Sequence, residues 1–430
     1  MKVFHLVLAL LLFLTASCAS IVFPESTPSP PESVTPSPGL TSTPVAPTPP
    51  AVASAGPLTL HVWLPPQFDP KSGTPAGELL QARLDEFSLR RPGVTVQVRV
   101  KALEGPGGML ESLATTSAAA HLALPDLVAL PRPMLEAAAL KGLLHPFDGL
   151  TAAMEDQDWY EYARQLSHLQ SSIFGLPFAG NALVQVYNTE SVSVPPADWA
   201  AALQVNGPFA FAAADPQALF SLALYQAADG PILDDQGRPF LEAETLAEVL
   251  AFYQEAERIG LMPVWLSQIQ NDDQVWEALV EKRANLASIW ASRYLSDTLT
   301  MTVVAPLSTR DGEPFTLATG WVWALSSPQP ERQEMSAQLA EFLTESNFLT
   351  GWTSAAGYLP PRQSAWNSSA LFELQPQIGL VLSSARLVPS VDVLNSLGPA
   401  IEKALIEVLK QQSDPIAAAR SAADSLSEPR

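Results

Sequence analysis

The stretch FGLPFAGNALVQVYN, from Phe174 to Asn188, decides how the chain is divided. Two glycines and a proline interrupt its first half, and residues 182–188 then alternate in the manner of a β-strand. The same order of strands and helices precedes this stretch and begins again after it. The stretch therefore predicts a boundary between two units of similar architecture.

On the N-terminal side, strands and helices alternate. The predicted strands are residues 58–64, 94–100 and 125–130, and the predicted helices between and after them are residues 79–91, 109–120 and 134–142. Pro92 and Gly93 end the first helix. This β-α-β-α order predicts a mostly parallel sheet covered by helices.

The C-terminal side repeats this order with longer helices. The predicted helices are residues 216–229, 243–260, 276–282, 331–344 and 401–409, and the predicted strands are residues 287–290 and 316–325. Apolar residues in the helix over 331–344 recur with the 3.6-residue period of an amphipathic helix. The whole chain is thus predicted to be α/β in class.

The N-terminus has the layout of a secretion signal, with Lys2 followed by an apolar stretch from Val3 to Leu14. Residues 1–17 are therefore interpreted as a signal peptide that ends in small residues before Cys18, the only cysteine of the chain. This arrangement resembles a bacterial lipobox, which implies that Cys18 is acylated and anchors the protein. An ordinary cleavage site followed by an incidental thiol is the alternative.

Residues 18–57 contain 11 of the 40 prolines and no Lys or Arg, which is typical of an extended linker.

The charge balance excludes some partners. The 430 residues contain 44 Asp and Glu against 23 Lys and Arg, a formal net charge of −21. An acidic protein is repelled by phosphate backbones and anionic lipid headgroups. We expect no nucleic-acid partner, and a membrane link through the lipid anchor only.

Five sequence blocks together carry a family resemblance. They are GLPF with YN at residues 175–178 and 187–188, ADG with DQG at 228–230 and 235–237, LASIW at 286–290, TGW at 319–321, and QLAEFL with GYLP at 338–343 and 357–360. In this order they resemble the family 1 extracellular solute-binding proteins, the sugar-capturing subunits of ABC importers. The resemblance implies a two-lobed periplasmic-binding-protein-like fold (type II), in which the chain crosses a hinge three times.

The lobe boundaries follow from the crossings. We place these near Gly180–Asn181, near Val304–Pro306 and near Gln333–Ser336. The N-terminal lobe is then residues 58–180 plus 306–335, and the C-terminal lobe is residues 181–305 plus 336–430. The resemblance also implies a monomer that works with ABC permease subunits.

The sequence lacks the common catalytic and metal-binding patterns. The five histidines lack the H-E-x-x-H spacing of zinc sites, and neither G-x-S-x-G nor a phosphate-binding glycine motif occurs. Asp234 and Asp235 are either a glycosidase pair or, as Asp favours, turn residues. We therefore expect no cofactor, no metal and no enzymatic activity.

The tryptophans suggest where a ligand would lie. A sugar ring combines polar edges with apolar C–H faces, so its site needs flat aromatic surfaces beside hydrogen-bonding groups. Trp290 is interpreted as following a strand at its C-terminal end and Trp321 as preceding one, and ligands bind at such strand ends. Both are interpreted as cleft residues, whereas Trp63 is either a cleft or a core residue.

Four further residues are candidate ligand contacts. Asn181 lies at the first crossing, where the resemblance implies an acid or amide that touches the ligand. Arg132 and Arg293 lie just beyond strand ends and either bind the ligand or form salt bridges. Tyr358 is placed to close over the ligand from the second lobe.

These observations predict an extracellular or periplasmic lipoprotein at the outer face of the bacterial cytoplasmic membrane. Its expected ligand is a sugar or oligosaccharide, which it would deliver to a permease. Two alternatives stay open, namely an exported carbohydrate-active hydrolase and a binding receptor without a transporter.

Overall fold

The computed structural model describes residues 57–297 and 299–427. The predicted signal peptide, Cys18 and the linker up to residue 56 lie outside these ranges, so the predicted anchor stays a prediction. Among the described residues, none of the helices combines the length and apolar character needed to cross a membrane.

Eleven strands and sixteen helices make up the described chain. The strands are β1 (Leu58–Leu64), β2 (Val94–Val100), β3 (Leu127–Pro131), β4 (His168–Leu169), β5 (Ser172–Ile173), β6 (Leu176–Asn188), β7 (Phe209–Ala210), β8 (Leu286–Trp290), β9 (Thr302–Ala305), β10 (Thr316–Leu325) and β11 (Ala385–Leu387). The helices are α1 (Pro75–Arg90), α2 (Met109–Ala119), α3 (Arg132–Leu140), α4 (Glu161–Ser167), α5 (Trp199–Ala202), α6 (Leu219–Ala227), α7 (Ala243–Arg258), α8 (Asp272–Val280), α9 (Ala291–Ser296), α10 (Pro330–Phe342), α11 (Ser346–Ala356), α12 (Gln363–Asn367), α13 (Ala370–Leu374), α14 (Gln377–Ser384), α15 (Val391–Leu409) and α16 (Pro415–Ser427).

Nine of the strands form one sheet. Its order is β2-β1-β3-β10-β6-β8-β7, with β9 on β6 and β11 on β10. The pairs β1–β2, β1–β3, β7–β8 and β10–β11 are parallel, as the alternation of strands and helices predicts. The long strands β6 and β10 are antiparallel to each other, and each also pairs antiparallel with a neighbour on its other side. These two strands join the two halves of the sheet.

Strands β3 and β11 end close together beside β10. Since β3 runs opposite to β10 whereas β11 runs with it, the carboxyl ends of β3 and β11 approach one point on β10. Pro131 is opposite Trp321 and Leu387 is opposite Ala318, so two residues of β10 separate the two strand ends. A ligand crevice is expected at such a meeting of strand ends.

Two glycines pair where β6 and β10 cross between the halves. Gly180 lies opposite Gly320, and α4 packs directly on both. A Cβ on Gly180 would overlap the Tyr162 hydroxyl. A Cβ on Gly320 would overlap the Ala179 carbonyl oxygen and lie 2.9 Å from Leu166 Cδ2. Only glycine therefore allows α4 to lie this close to the strands.

Helices α10 and α11 pack beside the first strands. Arg332 of α10 donates hydrogen bonds to Asp126 and to the carbonyl oxygen of Thr59, and Arg83 of α1 donates to the carbonyl oxygen of Phe342 at 2.6 Å. By contrast, α14 packs on β9 and β6. The chain thus moves from one half of the sheet to the other between α11 and α14.

Candidate ligand cleft

Neighbouring residues of β6 face opposite sides of the sheet at the crossing. Because successive side chains of a strand alternate, Asn181 points away from the face on which α4 covers Gly180. Asn181 Nδ2 donates a hydrogen bond to Ser292 Oγ at 2.8 Å, and its Oδ1 accepts one from the Ser292 backbone N–H at 3.0 Å. Asn181 therefore fixes the first turn of α9 to β6.

Trp321 and Tyr358 lie together at the same crossing. Trp321 of β10 is opposite Ala179, and Tyr358 directly precedes Leu359, whose backbone bonds that of Gly180 in both directions. The indole N–H of Trp321 lies beside the Tyr358 hydroxyl, where it partly opposes the rise in the pKa of Tyr358. Burial raises the pKa of Tyr358, so its hydroxyl stays protonated and can donate a hydrogen bond.

A third aromatic residue, Phe68, completes this group. It follows β1, and its ring meets that of Trp321 edge to face at 5.0 Å and that of Tyr358 at 5.6 Å. Phe68 is not among the residues predicted from the sequence, although it lies just beyond the end of β1, and a position at a strand end is what indicated Trp290.

Trp290 is the last residue of β8, opposite Leu183 of β6. Its side chain is half-buried, and its backbone N–H donates a 2.6 Å hydrogen bond to Asp272 Oδ2. Residues 179–183 of β6 thus bring Trp290, Asn181, Trp321 and Tyr358 into one neighbourhood.

The two arginines have protein partners. Arg132 forms a salt bridge with Glu136 at 2.7 Å, and its Nη1 donates to the carbonyl oxygens of Gln165, Leu166 and His168, each at 2.9 Å. Arg132 thereby caps the carboxyl end of α4, where carbonyl groups lack helical partners.

Arg293 is bound to α8. Its Nε lies 2.8 Å from Asp273 Oδ1, and its guanidinium carbon lies 4.9 Å from the centre of the Trp276 ring. The side chain keeps 25% of its surface exposed. The salt-bridge alternative accounts for this residue without a ligand.

Trp63 lies in the core. It is 4% exposed, in a cluster with Leu130 and Val322, and the Lys101 ammonium lies 4.8 Å from its ring centre. The core alternative accounts for Trp63, so its role in ligand binding stays an untested prediction.

Acidic groups gather at the carboxyl ends of β7 and β8. Burial raises the pKa of Asp272 to about 6; the hydrogen bond from Trp290 opposes this shift, and the charges of Asp215 and Asp273 add to it. Burial and the charge of Asp215 likewise raise the pKa of Glu402. Asp272 is not among the residues predicted from the sequence. An acidic residue in the first turn of a helix is ordinary, because the helix dipole stabilises negative charge there.

No group of three or more His, Cys, Asp or Glu within residues 57–297 and 299–427 is arranged to hold a metal ion.

The family model of bacterial extracellular solute-binding proteins matches residues 84–377, more than half of the chain. The chain belongs to this family. The resemblance found in the sequence is thereby confirmed. A search of curated protein sequences finds no match for this solute-binding protein.

Solved structures of binding proteins share the fold of this solute-binding protein. Maltose-bound MalE3 of T. maritima aligns over 86% of this chain and 99% of its own, with 16% identity and a TM-score of 0.64. The cyclic alpha-maltosyl-1,6-maltose binding protein of Arthrobacter globiformis aligns over 86% and 98%, with 16% identity and a TM-score of 0.70. MalE of Xanthomonas citri, a sugar-binding protein, aligns over 86% and 97%, with 18% identity and a TM-score of 0.69. These structures are two-lobed, so the predicted α/β fold with two lobes is confirmed.

Proposed function

We propose that this solute-binding protein captures a sugar or oligosaccharide between its two lobes and delivers it to an ABC permease. One observation carries the proposal. At the meeting of the strand ends, Trp290 and Trp321 lie opposite Leu183 and Ala179 on either side of Asn181 in β6. The rings of Trp321 and Tyr358 both contact Phe68. Flat rings beside neutral hydrogen-bonding groups suit a hydroxylated ring with apolar C–H faces. The sugars bound by the related structures agree with this ligand class.

The mechanism we propose is closure of the lobes around the ligand. Strands β6 and β10 cross between the halves at Gly180 and Gly320, so a small change of their backbone angles would turn one half against the other. The ligand would shift this equilibrium by binding the closed form more tightly than the open form. No bond is made or broken in this cycle.

The contacts of the strands and helices support second and third crossings that lie further along the chain than those predicted from the sequence. We propose that the second crossing lies inside β10, because β9 pairs with residues 185–188 and Ser308 Oγ donates to Gln185 Oε1 at 2.8 Å. We propose that the third crossing lies between residues 367 and 375, because α11 contacts α1 and Arg332 of α10 donates to a carbonyl oxygen of β1, whereas Gln375 donates to the Tyr294 hydroxyl.

Calorimetric titration with glucose, maltose and maltotriose tests the ligand class. We expect saturable binding by the wild type and at least ten-fold weaker binding by Trp290→Ala. The matched control is Trp265→Ala, since Trp265 is also half-buried but packs near Arg283 and not at the crossing. Equal weakening in both variants would assign the effect to stability, and absence of binding by the wild type would overturn the carbohydrate proposal.

We further propose that acylated Cys18 tethers the protein to the membrane. Cys18→Ser should release the protein into the medium and leave its sugar affinity unchanged, because residues 18–57 have the composition of a spacer. Retention of the variant at the membrane would contradict the lipid anchor.

A further inference from the structure

A second cavity lies on the face of the sheet opposite Asn181. It has a volume of about 540 Å3 and is lined by α4, by the segment just before it, and by α12 to α14. Helix α4 covers Gly180, whose Cβ direction is opposite to the side chain of Asn181. The cavity is therefore separated from the candidate cleft by the crossing strands. Its size is in the range of small-molecule sites.

One buried donor in its wall lacks a partner. Trp366 is 1% exposed, and its Nε1–H makes no hydrogen bond. A Cβ on Gly379 would lie 3.2 Å from this nitrogen, and Gly379 also lines the cavity. The absence of a side chain at Gly379 leaves space beside the indole, but the nitrogen itself is buried and does not open directly to the cavity. A buried donor without an acceptor costs about 1–3 kcal/mol, which a ligand acceptor would recover only by displacing the wall at Gly379.

The remaining wall is polar and balanced in charge. Glu161 and Arg164 supply one charge of each sign, and Asn367 and Ser383 supply an exposed amide and hydroxyl. Glu161 accepts a hydrogen bond from Gln165 at 3.0 Å, and Arg164 makes a long contact of 3.4 Å with the Trp159 carbonyl oxygen. An anion would face the carboxylate and a cation would face the guanidinium, so a neutral ligand fits best.

An exposed ring completes the wall. Phe372 is 43% exposed, and its ring meets that of Trp366 at 6.0 Å and 67°. An exposed aromatic face among amide and hydroxyl groups suits the C–H face of a sugar ring. We propose that this cavity binds a neutral saccharide at a second site. This proposal does not depend on the ligand of the cleft.

The cavity also spans parts of the molecule that the proposed lobe closure would move apart. Helix α4 lies on Gly180 and Gly320, whereas α14 packs on β9. Provided that the lobes close as proposed, a change in their angle reshapes the cavity, and binding at the two faces is coupled. Such coupling is reciprocal, so each ligand changes the affinity of the other by the same factor.

The indole signals of 15N-labelled protein test the proposal, because Trp366 reports on the cavity and Trp290 on the cleft. Trp366→Phe assigns the first signal and Trp290→Phe the second. Glucose, trehalose and maltotriose are the probes. We expect at least one of them to shift the Trp366 signal saturably.

Ser383→Trp should fill the exposed edge of the cavity and weaken this response at least ten-fold. Thr115→Trp is the matched control, since Thr115 is an exposed residue of α2, and it should leave the response unchanged.

Three other outcomes would contradict the proposal, each for a different reason. A Trp366 shift that persists in Ser383→Trp with the same concentration dependence as the Trp290 shift is a conformational response, and overturns the second site. A response to an amino-acid zwitterion such as glutamine, with none to sugars, overturns the ligand class. A response of Trp290 alone overturns the second site and leaves the cleft proposal standing. If Ser383→Trp fails to fold, Phe372→Ala replaces it, with the same ten-fold weakening expected.

Discussion

Asp272 lies in the first turn of α8, where its carboxylate accepts the backbone N–H of Trp290. Its pKa is raised from 3.8 to about 6, chiefly by burial. An acid with a raised pKa holds its proton more tightly in the folded state, so the folded state is favoured most below the unfolded pKa. Stability is then lost as pH rises from about 4 through about 6.

Asp272→Asn should therefore raise the free energy of unfolding at pH 7, by at most about 3 kcal/mol, because the neutral amide still accepts the Trp290 hydrogen bond. Urea unfolding between pH 4 and 7.5 measures the difference, which should vanish at pH 4. Asp235→Asn is the control, since Asp235 is exposed and is not among the charges that shift the pKa of Asp272. A gain that is equal at pH 4 and pH 7 would contradict the assignment.

The contact between Gly180 and Tyr162 gives a second prediction. Gly180→Ala should lower the free energy of unfolding by about 1–3 kcal/mol, because its Cβ overlaps the Tyr162 hydroxyl. That hydroxyl is buried and has no hydrogen-bond partner. Tyr162→Phe should therefore cost little, and should restore part of the loss in the double variant. Additive losses in a double-mutant cycle, measured by chemical denaturation, would refute the contact.

At the scale of elements, Arg332 holds α10 against β1. Asp126 is 1% exposed and also accepts a 2.7 Å hydrogen bond from the His61 backbone N–H. Arg332→Ala removes the cation and leaves this buried carboxylate without it, so we expect a loss of about 3–5 kcal/mol in thermal or chemical denaturation. The exposed pair of Arg90 and Glu86 is the comparison, and Arg90→Ala should cost less than about 1 kcal/mol. Similar losses in both variants would show that the buried ion pair of Arg332 and Asp126 stabilises the fold no more than the exposed pair does.

Elements with a plain periodic pattern were predictable from the sequence. Strand β10 has the predicted bounds of residues 316–325, and α7 and α10 differ from prediction only at their ends. Strand β6 was predicted from residue 182 but begins at Leu176. Pro177 and Gly180 read locally as interruptions, yet β10 pairs with this part of the strand and α4 needs the glycine.

Of the candidate site, only residues at the ends of predicted strands could be predicted from the sequence. Trp290 ends β8, as the sequence predicts. The strand-end position predicted for Trp321 is wrong, because Trp321 lies in the middle of β10, where the end of β3 lies opposite it. Besides its local partner Glu136, Arg132 bonds carbonyl oxygens at the end of α4, more than thirty residues away along the chain. No local pattern encodes that contact. Helix α15 begins ten residues before the predicted start at Ile401, because Gly398 lets it lie against the Pro216 carbonyl oxygen despite Pro399.

For the whole molecule, the shared sheet predicts how the lobes unfold. Strands β6 and β10 carry hydrogen bonds in both halves, so one half cannot open without exposing the edge of the other. We expect a single calorimetric transition with equal calorimetric and van't Hoff enthalpies. Two resolved transitions would show that the lobes unfold independently.

The central place of β10 also determines when the molecule can fold. Residues 316–325 fill the space between β3 and β6, and Trp321 pairs opposite Pro131. Strands β6 to β9 can pair with one another earlier, but until these residues have been made, β3 and residues 176–182 of β6 lack β10 as a partner and the two halves cannot join. A chain that is exported N-terminus first would therefore pass most of its length through a secretion channel before the two halves of its sheet could join.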